Sequence, residues 1–170
     1  HCFTGFDAYK QILETDADII ILAGPPGFRP QHIRAVLEAG KLVFAEKPVA
    51  VDPVGTRSVL QSAGLAGQKR LGFMGGTQLR FSQPYNEVIK RVRDGQIGEV
   101  VSAECFWWHD YFVRWHAEPR KPEWSDMEFQ IRCWPHFAWL SGDHLVENLV
   151  HNIDVMNWVM GGPPKSAAAL

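Results

Sequence analysis

The chain has 170 residues, of which 46% are hydrophobic and 21% charged, and its formal net charge is −2. This composition is typical of globular proteins, and so small a net charge gives no electrostatic basis for nucleic-acid or anionic-membrane partners. No apolar run reaches the roughly 18–20 residues of a membrane-spanning helix, and no N-terminal pattern indicates a signal peptide. The three cysteines are too far apart to predict a disulfide framework or a zinc knuckle.

The first part of the chain alternates apolar runs with helical patterns. Asp18 to Ala23 is a β-branched run that predicts a strand covered on both faces. A loop, Gly24-Pro25-Pro26-Gly27, follows it. Pro30 then opens a predicted helix that Gly40 closes, and Leu42 to Ala45 predicts the next strand.

A further helix is predicted from the N-cap Asp52 to about Ala63, with a polar turn over residues 64–69. Leu71 to Met74 then predicts a third strand. The alternation predicts a doubly wound parallel sheet. Because no G-x-G-x-x-G occurs, the phosphate-binding first turn of such a fold is expected upstream of His1, and the chain to be a piece of a longer protein.

The pattern changes after Thr77. The sequence predicts a helix from Pro84 to Asp94, a strand from Val100 to about Trp108, and a long ordered loop from His109 to Pro135. Gly142 to Met160 predicts one continuous helix. We place a domain boundary near residue 80, which gives domains 1–80 and 81–170.

The tripeptide Glu46-Lys47-Pro48 ends the second predicted strand. In an open α/β sheet, side chains at the carboxyl end of a strand face the ligand crevice. Taken alone, the same residues also fit an exposed Glu-Lys pair in a connecting loop.

A row of polar residues lies on the last predicted helix at spacings of four, four and three: Asp143, Glu147, His151 and Asp154. A carboxylate one turn from a histidine orients the imidazole and suits it to general acid–base work, although a solvated face explains the row equally well. A metal hydrolase using His144, Glu147 and His151 is the other alternative. No metal is predicted, because the two histidines are seven residues apart and H-E-x-x-H is absent.

Aromatic residues are concentrated between Trp107 and Trp139. They could stack on sugar rings, which motivates a non-enzymatic carbohydrate-binding or scaffold protein as an alternative function. Most are expected to belong to the core or to interfaces, and we assign Trp134 to substrate binding. The full set is Trp107, Trp108, Tyr111, Trp115, Trp124, Trp134 and Trp139.

Three motifs in this order resemble the Gfo/Idh/MocA oxidoreductases, relatives of glucose-fructose oxidoreductase and inositol dehydrogenase. They are Ala23-Gly24-Pro25-Pro26 with His32, then Glu46-Lys47-Pro48, then Gly142-Asp143-His144-x-x-Glu147-x-x-x-His151-x-x-Asp154. The resemblance implies the C-terminal part of a Rossmann-like NAD(P)-binding domain, followed by the start of an α+β domain with a mostly antiparallel open sheet.

The resemblance also implies residue roles. Lys47 and His151 match the catalytic lysine and histidine, with Glu147 one turn before the histidine and Asp154 assigned to substrate. Gly24, Pro25, Pro26 and His32 match the segment beside the cofactor's adenosine and ribose, and Glu46 matches the residue near the nicotinamide ribose. Two departures are Leu149, where the family has glycine, and Glu147, where many members have Asp.

The implied activity is hydride transfer between NAD or NADP and a hydroxyl carbon of a sugar, cyclitol or derivative. His151, held by Glu147, is expected to take the hydroxyl proton while Lys47 polarises the oxygen. Redox-assisted glycoside cleavage remains an alternative. The full-length protein is expected to be a cytoplasmic homo-oligomer unless an export signal precedes His1, and this stretch alone is expected to be inactive.

Overall fold

The structure, a computed structural model, describes residues 1–107 and 119–168. Its contacts divide the chain into two compact units. The first comprises His1–Gly76 with Tyr111–Glu147, and the second comprises Thr77–Asp110 with Asn148–Leu170. In the described residues no helix combines the length and the apolar character needed to cross a membrane.

The first unit contains a three-stranded parallel sheet. Its strands β1 (Ile19–Leu22), β2 (Leu42–Glu46) and β3 (Phe73–Gly76) lie in the order β1-β2-β3. Parallel neighbours need a crossover connection, and helices α2 (Arg29–Glu38) and α3 (Pro53–Lys69) supply the two crossovers. The short helix α1 (Ala8–Leu13) precedes β1. The predicted α/β class is therefore confirmed.

One face of this sheet forms the core. Ile20, Val43 and Ala45 point to it from β1 and β2 and are at most 8% exposed. Ile33 and Leu37 of α2 pack in the same cluster and are fully buried. Because β1 and β2 pair in parallel, their carboxyl ends lie side by side.

The opposite face of β1 is open in the described chain. Ile19 and Ile21 are 58% and 68% exposed, so the prediction of a strand covered on both faces is wrong. The physical reason is that α2 and α3 both pack into the core cluster of the other face. The β-branched run gave the strand correctly but not the number of covered faces.

Helix α3 is longer than predicted. Asp52 caps its start by accepting a hydrogen bond from the Gly55 backbone N–H at 2.6 Å. The helix continues to Lys69, where a polar turn over residues 64–69 was predicted. Burial of Ala66 continues the packed face through this segment, and the Lys69 amine donates to the Leu37 carbonyl at the end of α2.

The first unit ends in three short helices: α5 (Asp126–Arg132), α6 (Ala138–Ser141) and α7 (Asp143–Glu147). The predicted loop from His109 to Pro135 is therefore wrong over α5, while residues 108–118 lie outside the described chain. The Ser125 hydroxyl caps α5 by accepting from the Glu128 backbone N–H at 3.1 Å. 

Helix α6 packs against the turn after β1. A Cβ on Gly27 would lie 2.5 Å from the Trp139 carbonyl oxygen, so only glycine fits this approach. The Phe28 ring meets the Trp139 ring edge to face at 5.9 Å.

The regular secondary structure described in the second unit is helical. A 3₁₀ turn (Gln78–Phe81) leads into α4 (Gln83–Arg93), as predicted, and α4 packs on α8 (Val150–Met160). The predicted strand from Val100 is not formed over residues 100–107. A strand needs a hydrogen-bonding partner, and the described residues of this unit contain no second strand.

The predicted single helix from Gly142 to Met160 is two helices, α7 and α8, interrupted at Asn148 and Leu149. The Glu147 carbonyl accepts a hydrogen bond from the Lys47 amine at 2.6 Å. In a continuous helix the His151 N–H would bond to that carbonyl, but it bonds to the Asn148 carbonyl at 3.2 Å. The polar row therefore does not share one helix face.

Candidate active site

Lys47 lies immediately after β2 at the carboxyl edge of the sheet, and its peptide bond to Pro48 is cis. Its amine donates to Glu147 Oε1 at 2.7 Å and to the Glu147 carbonyl oxygen at 2.6 Å. The two side chains are 18% and 10% exposed. The structure thus joins two predicted site residues, a hundred positions apart in sequence, in a largely buried ion pair.

The Glu147 carboxylate is held in an unusual environment. Burial raises the pKa of Glu147 above its ordinary value, against the hydrogen bond and charge of Lys47 and the charge of Arg29, which lower it. Its second oxygen, Oε2, is buried and has no hydrogen-bond partner among the described residues. A buried acceptor without a partner is costly, so Oε2 is a place where a hydroxyl donor would be stabilised.

Arg29 is a site residue that the sequence interpretation missed. It is 4% exposed at the start of α2, and its guanidinium donates to the Pro48 carbonyl and, at 2.5 Å, to the Gly24 carbonyl. The signal available in the sequence was a cation in the first turn of a helix, where the helix dipole disfavours it. Such a placement indicates that another interaction holds the side chain.

The loop after β1 borders a cleft of about 590 Å³. Gly24, Pro25 and His32 line it, together with the aromatic rings of Phe28 and Tyr9. The His32 ring lies 4.5 Å from the Tyr9 ring, and burial lowers the pKa of His32, which favours the neutral imidazole. Three of the predicted cofactor residues therefore share one apolar, ring-lined cleft.

Glu46 and Pro26 occupy positions beside this cleft rather than in its lining. Pro26 is fully buried and starts the 3₁₀ turn that precedes α2. Glu46 Oε2 accepts from the Lys47 backbone N–H at 3.2 Å. A Cβ on Gly76 would lie 2.7 Å from the same oxygen, so β3 leaves room for this carboxylate only because residue 76 is glycine.

In the second unit, α8 carries His151 and Asp154. The His151 side chain is buried and its ring stacks on the Trp107 ring, with centroids 5.6 Å apart and planes 22° apart. Both Asp154 oxygens accept from the Arg80 guanidinium at 2.8–3.0 Å. Arg80 in turn lies over the Trp158 ring at 5.2 Å. His151 thus has an aromatic neighbour and Asp154 a cationic one.

Of the aromatic residues considered for a stacking platform, the three described in the first unit have different surroundings. Trp124 is buried between Lys121 and Arg132, and Trp139 donates to Gln130 at 2.7 Å. Trp134 starts a separate 3₁₀ turn and is partly buried. Trp108, Tyr111 and Trp115 lie outside the described residues.

The metal alternative finds no support in the described residues, where no three His, Cys, Asp or Glu side chains are grouped to hold an ion. His144 is exposed on α7, while His151 is buried on α8. The break between the two helices removes the shared face that the metal hypothesis needs.

Two family models match the chain. The model described as an oxidoreductase family with an NAD-binding Rossmann fold matches residues 2–71, and that family's C-terminal alpha/beta domain matches residues 89–170. Among curated relatives, inositol 2-dehydrogenase of Rhodococcus jostii is 26% identical over 155 residues, which are 90% of this chain and 35% of that protein. Inositol 2-dehydrogenase of Pseudomonas fluorescens is 29% identical over 157 residues, 90% of this chain and 38% of that protein.

Solved structures share the fold. An oxidoreductase domain protein from Kribbella flavida matches 90% of this chain and 38% of its own, with a TM-score of 0.71 and 22% identity. A scyllo-inositol dehydrogenase from Lactobacillus casei, solved with NAD(H) and scyllo-inositol, matches 90% of this chain and 40% of its own, with a TM-score of 0.62 and 22% identity. The chain spans less than two fifths of the length of the two curated relatives above. With both domains of one family matched in order, the chain belongs to the Gfo/Idh/MocA oxidoreductase family.

Proposed function

We propose that the complete protein is an NAD(P)-dependent dehydrogenase that oxidises a hydroxyl carbon of a cyclitol or a related sugar. The observation that carries this proposal is the buried Lys47–Glu147 pair at the carboxyl edge of a parallel sheet. In open α/β folds this edge is where ligands bind. The names of the curated relatives, inositol 2-dehydrogenases, favour a cyclitol as the substrate class.

The residues of the first unit fit a dinucleotide. The cleft beside β1 is large enough for part of such a ligand, its walls are mostly apolar, and Gly24 and Pro25 bring backbone to its rim. We assign Gly24, Pro25, Pro26 and His32 to the adenosine side and Glu46 to the nicotinamide ribose. The cofactor, when bound, accepts the hydride from the substrate carbon.

Proton handling falls to this chain's own side chains. We assign to Lys47 the contact with the reacting hydroxyl oxygen, where its positive charge stabilises the developing alkoxide. We assign to His151 the removal of the hydroxyl proton as general base. The sequence predicted that Glu147 orients His151, but its contact with Lys47 supports a different task, namely fixing the position of the amine.

Two further assignments are kept as part of the proposal. Asp154 and Trp134 are assigned to substrate binding, and the bidentate contact of Asp154 with Arg80 would give that carboxylate a fixed orientation. The complete protein is also proposed to form homo-oligomers, which light scattering coupled to size-exclusion chromatography would test.

The test is an assay of the complete gene product with NAD⁺ or NADP⁺ and a panel of inositols and sugars, followed by NADH absorbance. Lys47→Ala and His151→Ala are expected to lower kcat/KM by at least about 10²-fold, in line with the usual contribution of general acid–base groups. Lys10→Ala, an exposed lysine paired with Asp7, is the matched control.

An unchanged kcat/KM in Lys47→Ala on an accepted substrate would remove the assigned role. Failure of NADH to bind the complete protein would instead favour the carbohydrate-binding alternative. Product analysis on glycosides separates simple oxidation from redox-assisted cleavage.

A further inference from the structure

Arg29 is a buried charged residue to which the proposed function assigns no role. Arg29 is only 4% exposed, and a guanidinium at such a place loses much of its hydration, which is costly unless hydrogen bonds replace it. The first turn of α2 adds to that cost, because the positive end of the helix dipole lies there. The hydrogen bonds of Arg29 must therefore offset this cost, and an apolar residue could not form them.

The contacts of Arg29 connect two loops. One terminal nitrogen donates to the Gly24 carbonyl, in the loop after β1, and the other donates to the Pro48 carbonyl, in the loop after β2. The planar guanidinium holds its N–H groups in a fixed fork. The distance between the two carbonyls is therefore set by one rigid group, and Lys47 is the residue directly before Pro48.

The positive charge of Arg29 also supports the hydrogen bond between Lys47 and Glu147. Burial lowers the pKa of Arg29, while the carboxylates of Glu147 and Glu46 raise it, and arginine keeps its proton in proteins. The positive charge of Arg29 is in turn one of the causes, after Lys47, that lower the pKa of Glu147 against burial. Arg29 thus favours the ionised Glu147 that accepts the Lys47 hydrogen bond.

We propose that Arg29 is a positioning residue that ties the loop after β1 to the loop after β2 and thereby fixes the Lys47 amine beside the cofactor loop. The inference rests on the proposed function only for its catalytic consequence, since the contacts stand without it. Arg29 also lines the cleft assigned to the cofactor, but no cofactor contact is needed for this role. It acts through the backbone of Gly24 and Pro48 and through the charge of Glu147.

Three variants of the complete protein test this. Arg29→Lys keeps the charge but loses the planar fork, and Arg29→Met loses both the charge and the fork. Arg34→Met is the matched control, because Arg34 lies on the same helix but is exposed and pairs with Glu38. Circular dichroism verifies that each variant is folded.

Both Arg29 variants are expected to lower kcat, by about 10²-fold, since small misplacements of a reacting group cost about that much. The pH profile separates charge from geometry. In Arg29→Met the acid limb of kcat/KM is expected to move to higher pH, because Glu147 then has only the Lys47 charge to oppose burial. In Arg29→Lys the acid limb is expected to stay in place, and Arg34→Met is expected to change neither quantity.

A titration of Glu147 without substrate tests the positioning role of Arg29 independently of the proposed dehydrogenase function. The carboxyl is followed by NMR with ¹³C-labelled glutamate, and its pKa is expected to rise in Arg29→Met relative to Arg29→Lys. If the protein oxidises no cyclitol or sugar but this difference is found, the proposed function fails and the positioning role stands. If Arg29→Lys has the kcat of Arg34→Met, or fails to fold, the positioning role is overturned.

Discussion

The buried carboxyl of Glu147 makes the stability of the fold sensitive to pH. Burial holds the pKa of Glu147 above its ordinary value of 4.5, although Lys47 and Arg29 lower it. The folded state therefore binds the carboxyl proton more tightly than the unfolded state does. The resulting stability is fully present below the ordinary pKa and is lost as the pH rises through the raised pKa.

A Glu147→Gln variant checks this sign. Its carboxamide does not titrate, so the free energy of unfolding of the native chain minus that of the variant is expected to fall as the pH rises above 4.5. Urea unfolding at a series of pH values measures the difference. Glu123→Gln, at an exposed glutamate, controls for the loss of one carboxylate. A difference that grows with pH would contradict the raised pKa of Glu147.

At the scale of elements, α5 shows which local signals the sequence contained. Ser125 and Glu128 have the S-x-x-E spacing of a capping box, and Glu128 and Arg132 form an ion pair one turn apart. The density of aromatic and proline residues obscured this pattern, and a loop was predicted instead. The helix depends on the cap because it is only seven residues long.

Ser125→Ala is expected to lower the free energy of unfolding by about 1 kcal/mol, because it leaves the Glu128 N–H without its acceptor. Ser125→Asp, which keeps an acceptor at the cap, is expected to retain most of that stability. Urea denaturation of both variants measures the effect. Equal losses in the two variants would show that the Ser125 oxygen is not the stabilising group.

The break between α7 and α8 is an element that local reasoning could not predict. Residues 142–160 have an apolar stripe that suits one helix. At the interruption the Glu147 carbonyl accepts a hydrogen bond from the Lys47 amine, a hundred residues earlier, and no local pattern contains that contact. Likewise, the sequence could suggest Lys47, Glu147 and His151 as site residues but could not indicate which two would pair.

For the molecule as a whole, strand and helix order was predictable because it follows from local periodicity, as in β1, α2 and β2. The extent of burial was not predictable, because it depends on what else covers each face. Ile19, Ile20 and Ile21 are the same residue type in one strand, yet only Ile20 is buried. The strand predicted from Val100 depended in the same way on a partner strand.

Cofactor affinity also depends on the molecule as a whole, because the binding groups come from several elements. The 170 residues contain no G-x-G-x-x-G turn, the usual backbone site for a pyrophosphate. Each hydrogen bond to a charged group contributes roughly 1.5–3 kcal/mol, so lacking two of them weakens binding by roughly 100-fold or more. We expect NADH to bind the 170-residue polypeptide that much more weakly than it binds the complete gene product. Fluorescence titration of both measures it, and equal dissociation constants would contradict the expectation.

Two hydrogen bonds of the Lys47 amine limit how it would contact the polyol substrate that we propose. An ammonium group has three N–H donors, and the Glu147 carbonyl and Oε1 use two of them. With respect to the described residues one donor is left, enough for a single oxygen and not for two neighbouring oxygens at once. In the role proposed above, Lys47 would therefore polarise the hydroxyl presented to it but would not choose among the hydroxyls of a fully hydroxylated ring. Regioselectivity has to come from the groups that orient the ring.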